Sequence, residues 1–416
     1  MIRRPPRSTH CISSAASDVY KRQGIGHVRY STTGGSREEN AQPIHIYTTE
    51  HEIAVAHNGE IVNVKELKNF LGTLGSAFVT KSDSEVIARL LAYEITKHGV
   101  VKGLKNMILR LRGSFSLAVL IDERLFAIRD PLGIRPLALG KINGGFGVAS
   151  ESTAFHSLGG EFLRDVYPGE IAEITKDGII THYVFERENK AHCMFEYVYF
   201  ARADSIIDGR SVYEVRRKIG RILAREHPIK ADFIVPVPDS GRAHALGYAE
   251  ESGIPYAEGL MKNRYVERTF IMPSQESRVR EINLKLSPVK SVIENHKIIL
   301  VDDSIVRGNT MRKIVRMLRD AGAKEVHVRI GSPPIIAPCY LGIDMKTRDQ
   351  FIAAGRKIED IAKIIGADSL GYISIEGLVK AIGLPRRDLC LGCLTGKYPI
   401  PIEGEKIRFQ SDLEKF

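Results

Sequence analysis

Cysteine is scarce in this chain: 416 residues hold five, an odd count spread from Cys11 to Cys393. So thin a distribution excludes a secreted disulfide framework and fits a reducing compartment. The chain therefore reads as cytoplasmic. No apolar run approaches the ~20 residues that cross a bilayer, so no membrane role is expected. Basic runs interleaved with aromatics are also missing, which argues against nucleic acid as a partner. The formal charge is +10, yet residues 1–23 hold Arg3, Arg4, Arg7, Lys21 and Arg22 against Asp18 alone. The balance left over is mild and suits anionic small molecules, phosphates first. Apolar residues at 43% and charged residues at 26% are ordinary for globular domains. At roughly 100 to 200 residues per domain, the length predicts two to four of them.

The opening MIRRPPRSTHCISSAASDVYKRQ lacks the apolar core of a secretory signal, and the composition breaks at Gly24, where domain-like sequence starts in mid-pattern. Residues 1–23 resemble a translated cloning adaptor joined to a truncated gene and are set aside from fold reasoning. From Gly24 to about Glu186, short apolar runs alternate with Gly and Asn turns in HEIAVAHNG, SFSLAVLI, LFAIRD and GFGVAS. These predict antiparallel strands. One helix interrupts them, with a capping box at Ser82 and Glu85, an apolar face of Val86, Ile87, Leu90, Leu91 and Ile95, and a stop at Gly99. Past the charged RENKAH at 187–192 the grammar becomes strand, loop, helix, strand. ADFIVPV at 231–237 leads through PDSG into a helix stopped at Gly253. KIILV at 297–301 leads through DDSIVRGNT into a helix with Met311, Ile314, Val315 and Leu318 on one face. Such units build a parallel sheet covered by helices, an α/β arrangement whose ligands bind beyond the carboxyl ends of the strands. The expected division is 24–190, 191–385 and a C-terminal segment 386–416.

Two adjacent aspartates end an apolar strand in IILVDDSIVRGNT at 298–310. Asp302 and Asp303 can accept hydrogen bonds from a ribose diol or approach a divalent cation. Ser304, Ile305, Val306, Arg307, Gly308, Asn309 and Thr310 then turn into a helix N-terminus, where unpaired N–H groups and the helix dipole favour a phosphate. An isolated Asp-Asp is usually a turn capping a helix, but the whole string is more specific. It resembles the signature of type I phosphoribosyltransferases, which bind 5-phosphoribosyl 1-diphosphate. The resemblance implies a doubly wound parallel sheet, gives Asp302 and Asp303 to the ribose hydroxyls and Mg²⁺, and gives the 304–310 loop to the 5′-phosphate. PVPDSGRAHALGYA at 236–249 is similar to that family's diphosphate loop, with Asp239, Ser240 and Gly241 at its tip and Ser240 as a metal contact. KNRYVERTFIMPSQ at 262–275 is similar to its mobile lid, which implies ligand contacts at Lys262, Arg264 and Tyr265. Glu267 stands where that family commonly has Gly.

In the first half, GHVRYSTTG at 26–34, NAQPI at 40–44, AHNGEIVN at 56–63, SDSE at 82–85 and RDPLGIRPL at 129–137 together resemble class II glutamine amidotransferase domains. That resemblance implies the α+β N-terminal-nucleophile fold with αββα layers, here incomplete. In this order the two halves are similar to the amidophosphoribosyltransferase family over residues 24–416. The family resemblance implies a pentosyltransferase that passes glutamine-derived ammonia to phosphoribosyl diphosphate. The product is 5-phosphoribosylamine, at the start of purine synthesis. The same resemblance implies a homotetramer and inhibition by purine nucleotides. It assigns Arg29 to the glutamine α-carboxylate, Asp83 to its α-ammonium, and Asn58 and Gly59 to an oxyanion hole. Taken singly, Asn-Gly is most often a hairpin turn and Asp83 a supplement to a helix cap. The family's nucleophile is an N-terminal cysteine whose motif precedes GHVRY; this sequence does not contain it, and Cys11 is read as incidental. The expected activity is therefore ammonia-dependent.

Cys193, Cys339, Cys390 and Cys393 remain, the last two in CLGC. Four thiolates suit either zinc or an iron–sulfur centre, so spacing leaves both open. One branch of the family carries a [4Fe-4S] cluster, and HCMFEYVYF, PPIIAPCYLGID and CLGCLTGKYP resemble its ligand positions. Two rival functions also stay open: a nucleobase phosphoribosyltransferase, and a non-catalytic regulator that binds phosphoribosyl diphosphate.

Overall fold

Two short strands come first in the fold: β1 (Cys11–Ser17) and β2 (Gly24–Tyr30) pair antiparallel. Residues 11–17, set aside above, thus supply a strand. The structure, a computed structural model, describes residues 11–17, 23–30, 38–186, 188–263, 286–345 and 347–402. It divides into two units, one of Met1–Cys193 with Cys339–Lys346 and Tyr398–Phe416, the other of Met194–Pro338 with Thr347–Lys397. Residues 386–397, read from the sequence as part of a separate C-terminal segment, fall in the second unit.

The apolar runs of the first unit form the expected antiparallel sheet. Its strands are β3 (Ile44–Tyr47), β4 (Glu52–Ile61), β5 (Gly113–Ile121) and β6 (Arg124–Arg129), continued below by β10 and β11. Three helices cover one face: α1 (Val64–Thr73), α2 (Asp83–His98) and α3 (Val100–Arg110). Only α2 was expected. The flanking pair escaped because α1 and α3 are short and Gly99, read as a stop, is at once the end cap of α2 and the start of α3. Val86, Ile87, Leu90, Leu91 and Ile95 are buried as the periodicity required, each contributing roughly 1.5 to 3 kcal/mol.

The cap of α2 differs from the expected box. Ser82 accepts from the Ser84 N–H at 3.3 Å. Glu85, however, reaches past it to the N–H groups of Val79 and Thr80, at 3.0 and 2.7 Å. A turn before the helix, which the motif did not encode, offers those two donors and competes for the carboxylate.

The opposite face of the sheet packs on a second, three-stranded sheet of β7 (Ala138–Ile142), β8 (Gly145–Ala149) and β9 (Glu161–Asp165). Ile25, Ala54, Ala56, Leu125, Leu137 and Leu139 fill the space between. Outside it lies one short helix, α4 (Thr153–Ser157). Strands β10 (Glu170–Ile174) and β11 (Ile179–Val184) complete the large sheet in the order β11-β10-β6-β5-β4-β3. Helix, sheet and sheet are therefore the full layers among the described residues, with the fourth reduced to α4.

The RDPLGIRPL turn after β6 is held by Asp130, which is fully buried and accepts from the N–H groups of Leu132 at 3.0 Å, Ile134 at 3.2 Å and Phe115 at 3.3 Å. Burial pushes its carboxyl up to about 6 despite those donors and the adjacent Arg129. A raised value means that the proton-bound form is the one the fold favours. Its contribution is complete below the ordinary aspartate range and is lost as pH climbs through about 6. The stability of the wild type relative to Asp130→Asn is expected to fall by roughly 2 to 3 kcal/mol between pH 4 and 7. Urea unfolding of both proteins across that range measures it, and parallel curves would contradict it.

In the second unit, helix α5 (Val212–Glu226) precedes strand β12 (Phe233–Pro236) and helix α6 (Arg242–Ser252). Strand β13 (Lys297–Asp302), helix α7 (Asn309–Asp320), strand β14 (Glu325–Ile330), helix α8 (Ile358–Ile365) and strand β15 (Ser369–Tyr372) follow. The strands lie parallel in the order β12-β13-β14-β15. Tyr256 adds a parallel bridge to Ile234 on the outer side of β12. The chain therefore leaves β12 in one direction and β13 in the other. Such a reversal opens a crevice between the carboxyl ends of those two strands. Helices α7 and α8 cover one face of this sheet, with Met311, Ile314, Val315 and Leu318 in its core. Among the described residues no helix is long and apolar enough to cross a membrane.

Candidate functional site

The crevice of the second unit receives both loops singled out in the sequence. At the end of β13, Asp302 is 9% and Asp303 5% exposed. Asp302 Oδ1 accepts the Asp303 N–H at 2.9 Å, and the Ser304 hydroxyl donates to Asp303. At the end of β12 the loop turns at Asp239–Gly241, with Gly241 packed on the Val301 carbonyl, and the Ser240 hydroxyl lies beside both acidic side chains, where it offsets part of their upward shift. Two separate loops thus meet on three hard oxygen donors. Burial raises the carboxyls of Asp302 and Asp303 above the usual aspartate range, and the Asp303 charge pushes Asp302 further. The Arg216 charge offsets this for Asp303 only in part, and a divalent cation or a proton supplies the further countercharge such a pair favours.

The remaining predicted residues fall into distinct places. Asp239 faces solvent, bonded to Arg242 at 2.9 Å and to Lys262. Gly241 donates its N–H to Val237. In the turn after the acidic pair, Ile305 is buried in the apolar core. It therefore offers a ligand only its backbone. Val306 accepts the Ile352 N–H, and Arg307 bonds Gln350. Gly308 caps α7, whose first turn holds Asn309 and Thr310. Arg264, Tyr265 and Glu267 lie outside the described residues.

In the first unit, Asn58 and Gly59 sit inside β4, opposite Ser116 and Phe115 of β5. The hairpin alternative is thereby excluded. Gly59 has φ +151°, and a Cβ there would fall 2.1 Å from the Ser114 carbonyl oxygen. Only glycine fits. Asp83, the first residue of α2, accepts the Ile61 N–H at 3.1 Å, so its carboxylate is tied to β4 and not to its own helix end. Arg29 on β2 is 5% exposed and within electrostatic reach of Asp83. Sequence reasoning gave no role to His57. Its Nδ1 is 3.2 Å from the Ser84 hydroxyl and its Nε2 3.3 Å from the Ser114 carbonyl, so it fastens β4 to α2 and β5 beside Asn58. Its position inside AHNG was the only signal. Nearby His27 is lowered to about 4, chiefly by burial.

Known proteins carry the same two parts. Residues 27–157 match the glutamine amidotransferase domain family and residues 203–330 the phosphoribosyl transferase domain family. The amidophosphoribosyltransferase of Methanocaldococcus jannaschii is 52% identical over 94% of this chain and 88% of its own. That of Bacillus subtilis is 45% identical over 93% and 82%. The chain belongs to the amidophosphoribosyltransferase family. Among solved structures, the glutamine phosphoribosylpyrophosphate amidotransferase from B. subtilis, complexed with ADP and GMP, superposes with a TM-score of 0.84 at 43% identity. The superposition covers 92% of this chain and 84% of that one. Amidophosphoribosyltransferases are glycosyltransferases with a glutamine amidotransferase domain and catalyse the first step of purine biosynthesis.

Amidophosphoribosyltransferases use Mg²⁺, and the donor types here suit it: two carboxylates and a hydroxyl, all hard oxygens. The cysteines fare differently. Among the described residues none of the four is in a disulfide; Cys193 and Cys339 fall in the first unit, Cys390 and Cys393 in the second. Among the described residues no group of three or more His, Cys, Asp or Glu side chains is arranged to hold a metal ion. A four-cysteine centre is thus not established by the fold of either unit.

Proposed function

We propose that the second unit carries out the transferase step, with Ser240, Asp302 and Asp303 as its centre. The carrying observation is that the strand reversal sets the Ser240 loop directly against the strand end that bears both carboxylates, with Val237 and Gly241 packed on the Val301 carbonyl. In this reading Asp302 and Asp303 orient the ribose hydroxyls as positive charge develops at C1. Asp239, Ser240 and Gly241 receive the diphosphate, and the turn 304–310 receives the 5′-phosphate at the start of α7. Lys262 is a further proposed ligand contact, as are Arg264 and Tyr265 by the family resemblance of the lid motif. Ser240, Asp302 and Asp303 would hold Mg²⁺, which would supply positive charge to neutralise the leaving diphosphate.

In the first unit Arg29 and Asp83 hold the two ends of glutamine, while Asn58 and Gly59 stabilise the oxyanion. The sequence offers no match to the family's nucleophilic cysteine, so ammonia is the proposed nitrogen source of the 416-residue polypeptide. One experiment separates the readings: diphosphate release from Mg²⁺-phosphoribosyl diphosphate with ammonia, glutamine or a nucleobase. Release with ammonia alone is expected. Glutamine-dependent release overturns the donor assignment only. Nucleobase-dependent release, or binding without release, overturns the transferase assignment in favour of a salvage enzyme or a regulator. ADP and GMP, present in the B. subtilis structure, are the proposed inhibitors and are tested in the same assay.

The reading extends to a homotetramer and to a [4Fe-4S] cluster on Cys193, Cys339, Cys390 and Cys393, both supported by the family resemblance. Protein purified without oxygen is expected to contain iron and sulfide in equal amounts, about four of each per chain. Stoichiometric zinc would count against it, and sedimentation of the same sample weighs the oligomer.

A further inference from the structure

Helix α6 carries a histidine, His244, that none of these roles uses. It is 0% exposed, and its Nδ1 lies 3.2 Å from the Ser240 carbonyl oxygen. A carbonyl only accepts, so Nδ1 carries the proton and Nε2 is left as a bare acceptor. Among the described residues that Nε2 has no hydrogen-bond partner. Burial, with the nearby Arg216 guanidinium, keeps the ring neutral. The ring also lies against Gly331, where an added Cβ would fall 2.5 Å from Cδ2. Gly331 in turn donates its N–H to the Asp302 carbonyl at 2.9 Å. One imidazole therefore touches the loop that bears Ser240 and the residue braced on Asp302.

An unpaired buried acceptor is costly, and a leucine of similar size would fill the same space without that cost. The bond to Ser240 is what the imidazole adds. We propose that His244 is a positioning residue for phosphoribosyl diphosphate binding: its Nδ1–H, donated to the Ser240 carbonyl, holds the 239–241 turn so that the Ser240 hydroxyl faces Asp302 and Asp303. This rests on the reading of those three residues as the substrate centre.

The test compares His244→Leu with His244→Asn in the 416-residue protein, well below the Tm of each. Asparagine is the conservative variant because its amide nitrogen takes the place of Nδ1. KM comes from ammonia-dependent diphosphate release and Kd for Mg²⁺-phosphoribosyl diphosphate from calorimetry. The leucine variant is expected to raise KM and Kd about tenfold, the size of one hydrogen bond, with kcat within about twofold. The asparagine variant is expected to return both close to wild type. A merely structural role would lower Tm in both variants and leave KM alone. Leucine indistinguishable from wild type, or asparagine as impaired as leucine, overturns the proposal. If the leucine variant does not fold, Gly331→Ala, which drives a Cβ into the ring, is expected to raise KM and Kd in the same direction; unchanged constants overturn it equally. Wild type that binds no phosphoribosyl diphosphate sinks the site assignment itself, whereas binding without turnover leaves Kd to decide on His244.

Discussion

Asp302→Asn is expected to cut ammonia-dependent diphosphate release by about three orders of magnitude, roughly 4 kcal/mol of transition-state stabilisation, while leaving the fold intact. Asparagine has the shape of aspartate and retains an acceptor for the Asp303 N–H, which Asp302 Oδ1 now meets at 2.9 Å. It loses only the charge. In the free protein that charge is a burden, because Asp302 is buried and repelled by Asp303. The substitution is therefore expected to hold or raise Tm while activity disappears. Opposite movements of stability and turnover are what a functional charge produces and a structural one does not.

The pH dependence follows from the same repulsion. Both carboxyls are raised above their ordinary values, so the free protein favours a proton on the pair. A cation-bearing substrate needs the ionised pair, so affinity for Mg²⁺-phosphoribosyl diphosphate is expected to weaken as pH falls and the pair takes up its proton. Calorimetry in buffers of different ionisation enthalpy reads the proton released on binding. Turnover within tenfold of wild type, or affinity that does not weaken as pH falls, would remove Asp302 from the centre.

Much of this centre was legible because its residues are contiguous. The strand, acidic pair, glycine-containing turn and helix of 298–310 appear in that order, with the strand running on to Asp302 and the helix starting already at Asn309. The meeting of Ser240 with Asp302 was not legible by spacing, since 62 positions separate them and only the parallel pairing of β12 with β13 aligns their strand ends. The capping box failed for a related reason. Whether Glu85 turns back to its own cap or to Val79 and Thr80 depends on a preceding turn with no strong periodicity. His57 and His244 were hidden in motifs whose neighbours drew the attention. An imidazole among apolar or small residues gives no periodic signal, and its value lies in which backbone carbonyl it meets. Arg216 is similar: it falls between Val215 and Ile219 on the buried side of α5, where it donates to the Tyr197 and Ala201 carbonyls at 2.9 and 2.7 Å.

The same substitution at two helical glycines is expected to have opposite signs. Helices α5 and α6 approach so closely that a Cβ on Gly220 would stand 1.9 Å from the His244 carbonyl oxygen and 2.8 Å from the Tyr248 nitrogen. Backbone cannot yield as a flexible side chain does, so Gly220→Ala must push α6 away from α5. That movement opens the packing around Tyr248 and Leu223, both fully buried. The expected cost is about 3 kcal/mol or more. Because α6 begins immediately after Gly241, the shift also carries the Ser240 turn with it, and affinity for phosphoribosyl diphosphate is expected to fall along with Tm. Gly72 on α1 provides the control: nothing lies within 4 Å of its added Cβ. There alanine removes only the backbone freedom of glycine in the unfolded chain, and a gain of about 0.5 to 1 kcal/mol is expected. Denaturant unfolding of the two variants side by side measures both. A mild Gly220→Ala effect, no larger than about 1 kcal/mol, would mean that α5 and α6 are less tightly joined than their geometry requires, and that the loop bearing Ser240 is not held by this helix pair.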